Sequence, residues 1–136
     1  MSDTQQITQL LESHGIIPTR QRIDLARILF ARPQHLSAEQ LTEAARVSGD
    51  YRVSKATVYN TLNLFAERGL LREIIADPTK VFYDSTTTQH AHLYNIDSGE
   101  LIDLTFTGDP LTVVSGFPEG VQTVGVDIVV RVKNSD

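Results

Sequence analysis

Cysteine is absent from this 136-residue chain. Disulfides and thiolate metal sites are therefore excluded, any metal must be held by histidine and carboxylate, and the absence points to a cytoplasmic protein. Long apolar runs are missing too. No stretch approaches the roughly 20 apolar residues that cross a membrane, so no membrane partner is expected. The opening MSDTQQITQL has neither the basic start nor the apolar core of a signal peptide. Internal repeats are not seen. Positive charge is in deficit, with 12 Lys+Arg against 17 Asp+Glu and a net charge of −5, which superficially argues against a nucleic-acid partner. Its distribution argues the other way. Residues 1–82 hold 10 Lys+Arg and 9 Asp+Glu, whereas residues 83–136 hold 2 and 8. A near-neutral, Arg-rich half joined to an acidic half suits two different partners, DNA for the first and a cation for the second.

Apolar residues make up 40% of the chain and charged residues 21%, a globular balance. The first half reads as short helices. Ile7, Leu10 and Leu11 recur at helical spacing from Thr4 to His14, with Gly15 as a stop. Pro18-Thr19 opens a second helix with Ile23, Ala26, Leu29 and Phe30 on one face, and Pro33 ends it. Ser37-Ala-Glu-Gln40 is a capping box. Ser54 caps a helix that runs to Arg68, and Gly69 terminates it. The period then changes: Leu70–Ile75 and Lys80–Tyr83 are strand-like, joined by the turn Ala76-Asp77-Pro78-Thr79. Helices followed by a hairpin describe a winged helix-turn-helix. Ser85-Thr-Thr-Thr-Gln89 is a polar hinge. Beyond it, His90–Ile96 and Glu100–Phe106 read as strands, Asp109–Gly116 as a short helix, and the β-branched run Thr123–Val132 as the clearest strand of all. So small a second half would need a second copy to complete and cover its sheet.

At 100° per residue, Val58, Thr61, Leu62 and Phe65 share one face of the fourth helix. Ala56, Tyr59, Asn60 and Asn63 face the other way. That outward set suits a major groove, where Asn can bond to adenine and Ala or a Tyr ring can touch thymine methyls. Arg20, Arg22, Arg52 and Lys55 lie near enough in sequence to serve phosphates. An ordinary amphipathic helix with a solvated polar face would show the same pattern.

Pro18-Thr-Arg-Gln-Arg22, Leu36-Ser-Ala-Glu39 and Ala56-Thr-Val-Tyr-Asn-Thr-Leu62 resemble the DNA-binding half of the ferric uptake regulator family. The resemblance runs over roughly residues 5–133. It looks closest to the iron response regulator branch, from Tyr59-Asn-Thr-Leu-Asn63, Phe82-Tyr-Asp84, the missing cysteines and the ending Asp127-Ile-Val-Val-Arg131. The resemblance implies a homodimer on an A/T-rich, inverted-repeat DNA operator.

Of the four histidines, His90-Ala-His92 is the informative pair, because residues i and i+2 of a strand share a face. The spacing of Asp84, His90, His92 and Asp103, with His35 at a distance, is similar to the regulatory site of peroxide-sensing relatives. That similarity implies His35, Asp84, His90, His92 and Asp103 as ligands. Three nitrogens and two carboxylates suit Fe²⁺ or Mn²⁺, one ion per protomer, with Zn²⁺ able to intrude in vitro. Asp103 sits in Leu-Ile-Asp-Leu, where a buried carboxylate would need a cation or a donor. Asp84 could instead cap a turn, and His14 reads as a helix-end residue. The family's paired Cys-x-x-Cys zinc has no counterpart here. Haem, which the iron response regulator branch can sense, is an alternative ligand of His90 or His92.

The expected architecture is α+β. A winged-helix DNA-binding domain would occupy residues 1–83, a hinge 84–89, and a small α/β dimerisation and metal-sensing domain 90–136. The expected function is a metal-responsive repressor of iron-related genes. Its competitors are a metal-independent winged-helix module and an enzyme, since two His and a carboxylate also form the facial triad of non-haem iron oxygenases.

Overall fold

The structure, a computed structural model, describes residues 3–48, 53–88 and 90–135. The chain divides between Thr87 and Thr88 into two units.

In the first unit, helix α1 spans Asp3–Ser13 and α2 spans Arg20–Leu29. Gly15, at φ 72°, turns the chain between them in a region that side chains with a Cβ avoid. Thr19 caps α2, its hydroxyl accepting the Arg22 amide at 3.3 Å. Strand β1 is the three-residue segment His35–Ser37, and helix α3 follows over Ala38–Ser48. The capping box closes in both directions. The Gln40 amide donates to Ser37 Oγ at 3.1 Å, and the Ser37 amide to Gln40 Oε1 at 2.9 Å. Helix α4, Lys55–Glu67, is capped by Ser54, which accepts the Thr57 amide at 3.1 Å. Gly69 leaves it at φ 82°.

Strands β2 (Arg72–Asp77) and β3 (Lys80–Asp84) form an antiparallel hairpin. Its turn is tighter than expected, because Asp77 Oδ1 accepts both the amide and the hydroxyl of Thr79, at 2.8 and 2.9 Å. Strand β1 adds to the other edge of β3, in the order β1-β3-β2. The reading of the sequence missed β1, since three residues are too few to show a period of two. The core is built from Leu11, Leu25, Leu29, Leu41, Val58, Leu62 and Phe65, all essentially inaccessible. Each such side chain contributes about 1.5–3 kcal/mol on burial.

In the second unit, β4 (Ala91–Asn95) pairs antiparallel with β5 (Leu101–Leu104) and parallel with β6 (Val129–Val132). The order is β5-β4-β6, so β5 is an edge. A 3₁₀ turn over Pro110–Val113 stands where a short helix was expected. The expectation for Thr123–Val132 needs correction: only its last four residues are strand. β6 pairs with His92–Asn95, and the last contact before it is the Ile128 carbonyl, which accepts the His92 amide at 3.0 Å. Large apolar side chains stay open here, among them Phe117 at 55% exposed, Val121 at 57% and Val124 at 102%.

Candidate metal centre and nucleic-acid face

Register creates the histidine cluster. His92 on β4 lies directly opposite Asp103 on β5, so both side chains leave the same face. His90, just before β4, sits two residues from His92, and the two imidazole centroids are 4.4 Å apart. Nε2 of His90 is 3.3 Å from Asp103 Oδ1, and Nε2 of His92 is 3.4 Å from the same oxygen. His92 is buried, His90 nearly so, and the Asp103 side chain is 62% exposed. That exposure overturns the burial argument made for Asp103 from its apolar neighbours. On an edge strand, Ile102 and Asp103 both remain accessible within one chain.

The donor set can be tested for its fit to a cation. His90 Nδ1 lies 2.8 Å from the Thr88 carbonyl oxygen, which can only accept, so the proton sits on Nδ1. The Nε2 lone pair of His90 is then turned toward the carboxylate. Such a carbonyl partner is the usual orienting contact of a metal-ligating histidine. Two nitrogens around one carboxylate oxygen are an electron-rich cluster that a proton or a cation would complete. The three residues offer ligand atoms within 4.8 Å of one another, which fits a divalent ion.

The remaining expected ligands belong to the first unit. His35 on β1 is the cross-strand partner of Asp84 on β3, so the two share a face of that sheet. The His35 ring meets Phe82 edge-on at 6.2 Å. Asp84 is buried, and its Oδ1 accepts the Thr86 amide at 2.9 Å, so the turn-capping role is present. Each unit thus carries one cross-strand His/Asp pair of its own. His14 lies at the end of α1, its Nδ1 3.0 Å from the Leu10 carbonyl.

On α4, Val58, Thr61, Leu62 and Phe65 are buried, while Ala56, Tyr59, Asn60 and Asn63 are exposed. Two of the outward side chains are held. The Tyr59 hydroxyl donates to Glu39 Oε1 at 2.9 Å, and the Tyr83 hydroxyl donates to Asn63 Oδ1 at 3.2 Å. Burial pushes the Tyr83 phenol pKa up, which keeps it a donor at neutral pH. Lys55 is exposed at the start of α4. Arg20 is exposed, 3.8 Å from Asp24, whereas Arg22 is half-buried and donates to the Ile17 carbonyl at 2.8 Å. Arg52 lies outside the described residues. A groove of about 260 Å³ runs between the start of α2 and α4, lined by Thr19, Gln21, Arg22, Thr57, Asn60 and Leu64. Glu39 and Tyr83 escaped the sequence reading. Their partners are 20 residues away, and the available signal for Glu39 was a carboxylate in the first turn of a helix.

A winged helix followed by a small sheet that carries a His/carboxylate cluster defines the class. A sequence model described as the ferric uptake regulator family matches residues 13–110, well over half of the chain, and the chain belongs to that family. It is 29% identical over 94 residues to the peroxide-responsive repressor PerR of Staphylococcus saprophyticus, a match covering 68% of this chain and 62% of that protein. The chain thus spans somewhat under two thirds of the length of that curated relative. The ferric uptake regulator of Vibrio cholerae has a similar structure, at 26% identity and TM-score 0.72, covering 93% of this chain and 98% of that one. So has the ferric uptake regulator of Pseudomonas aeruginosa solved with manganese, at 25% identity and TM-score 0.70, covering 95% and 98%. The family is one of regulators, and the oxygenase reading is set aside.

Proposed function

We propose that this protein is a homodimeric, metal-responsive DNA-binding transcription regulator of the cytoplasm, and that it represses iron-related genes. The iron response regulator branch belongs to the same reading. The observation that carries it is the convergence of His90, His92 and Asp103 on one sheet face, in a chain whose first unit is a winged helix. In this reading the first unit binds an A/T-rich inverted repeat through Ala56, Tyr59, Asn60 and Asn63. Arg20, Lys55, Arg52 and the remaining reach of Arg22 serve phosphates.

The second unit, through its open apolar residues and β6, pairs with a second copy, as so small a sheet requires. His90, His92 and Asp103 hold one Fe²⁺ or Mn²⁺, and His35 and Asp84 complete its coordination. When bound, the ion supplies a positive centre that ligands from both units share. His35 and Asp84 then tie the reading unit to the dimerisation unit. A dimer with one fixed angle between its winged helices fits half-sites on one face of DNA. Ligand binding and DNA binding become coupled by linkage.

The test titrates Fe²⁺, Mn²⁺ and Zn²⁺ while dimer–DNA affinity is measured, with sedimentation of the same samples at micromolar concentration. Metal-stimulated binding by a dimer is expected. Specific binding that ignores all three metals would favour a metal-independent module, and a strictly monomeric species would overturn the dimer.

A further inference from the structure

We infer that Glu39 is a positioning and discriminating residue of the nucleic-acid face, whose carboxylate sets how Tyr59 reads a base and weakens binding to DNA that offers no matching base. This rests on the DNA-reading role proposed above. Tyr59 is 41% exposed on the outward face of α4, and its hydroxyl donates to Glu39 Oε1 at 2.9 Å. A bond to an ionised acceptor is about twice as strong as a neutral one. Glu39 is kept ionised. Its own backbone amide and the Tyr59 hydroxyl, then Lys80 and Lys55 at longer range, hold its carboxyl below the usual range. The first turn of α3 favours the same charge.

The chemical consequence follows from the proton count. A phenol has one proton, and here it is committed to Glu39. Tyr59 can then offer a ligand its oxygen lone pairs and its ring, but no donor. It cannot donate to a phosphate oxygen or to the acceptor atoms of guanine. It can accept from the exocyclic amine of adenine or cytosine, or lay its ring against a thymine methyl. Glu39 adds a negative charge within electrostatic range of Lys55 and Lys80, cations that a backbone phosphate would seek. An exposed pair of this kind does little for stability. Its effect falls on discrimination between duplexes.

The test uses the full chain with Mn²⁺. A duplex is enriched by the wild-type protein from a randomised pool and compared with a scrambled duplex of the same composition, across a KCl series. In Glu39→Ala, affinity for the scrambled duplex should rise, its log–log salt slope should steepen by up to about 0.9, and the selected-to-scrambled ratio should fall on the order of tenfold. Glu39→Gln keeps an acceptor for the hydroxyl and removes the charge. It should recover affinity for the selected duplex while keeping the steeper slope. Tyr59→Phe should lower the ratio in the wild-type background and leave it unchanged in Glu39→Ala. A Glu39→Ala protein with the wild-type ratio and slope, or a Glu39→Gln protein no better than Glu39→Ala, overturns the inference. If the wild-type protein enriches no duplex at all, the DNA-reading proposal itself fails.

Discussion

Replacing His92 by Ala tests the metal centre most directly. His92 is buried, lies opposite Asp103 in the β4–β5 register, and supplies one of the two nitrogens within 3.4 Å of Asp103 Oδ1. The quantity to follow is the rise in Tm on adding Mn²⁺, because cavity formation alone will lower the metal-free Tm. At free Mn²⁺ one hundred times the wild-type Kd, the native state gains about 2.7 kcal/mol. Unfolding entropy of about 2.1 cal/mol/K per residue, taken over 136 residues for a cooperative transition, converts this to a rise of about 9 °C. Loss of an outer-shell partner alone costs 10–100-fold in affinity, and loss of a ligand should cost at least the upper figure. At the same Mn²⁺ concentration the variant would then gain no more than about 0.4 kcal/mol, or roughly 1.5 °C. Calorimetry or circular-dichroism melts with and without Mn²⁺ read the increment. His14→Ala, at the end of α1, should keep the full increment. His35→Ala should keep part of it and lose metal-dependent DNA binding, because His35 lies on the wing sheet. A His92→Ala protein whose Tm rises as far as wild type would refute the centre.

Asn60→Ala should weaken a selected duplex by about 1–3 kcal/mol and leave scrambled DNA nearly unchanged, measured by fluorescence anisotropy, since Asn60 is exposed on the outward face of α4. Equal loss on both would remove Asn60 from base reading. Ser37→Ala should destabilise the protein by about 0.5–2 kcal/mol in urea titrations, because it removes the Oγ that accepts the Gln40 amide. An unchanged midpoint would mean that water replaces the cap without cost.

Much of the first unit was legible locally. Val58, Thr61, Leu62 and Phe65 recur with the helical period, and that alone turns Ala56, Tyr59, Asn60 and Asn63 outward. The capping box at Ser37, the cap at Ser54 and the glycines 15 and 69 likewise carry their geometry in adjacent residues. His90-Ala-His92 carried two of the cluster's three residues, because alternation along a strand is a property of the strand itself.

What joins His92 to Asp103, His35 to Asp84 and Tyr59 to Glu39 is a different kind of information. For the two His/Asp pairs this is strand register, where a one-residue slip would send one partner to the other face, and for Tyr59 and Glu39 it is the packing of α4 against α3. β-branched composition made Thr123–Val132 look like one strand, yet only Val129–Val132 joins a strand ladder, beside β4. Local sequence by itself determined where the chain bends and which side chains face the core, because torsional preference and periodicity act over a few residues. The tertiary structure alone decided which polar groups of different segments meet, because those meetings depend on strand register and helix packing between segments.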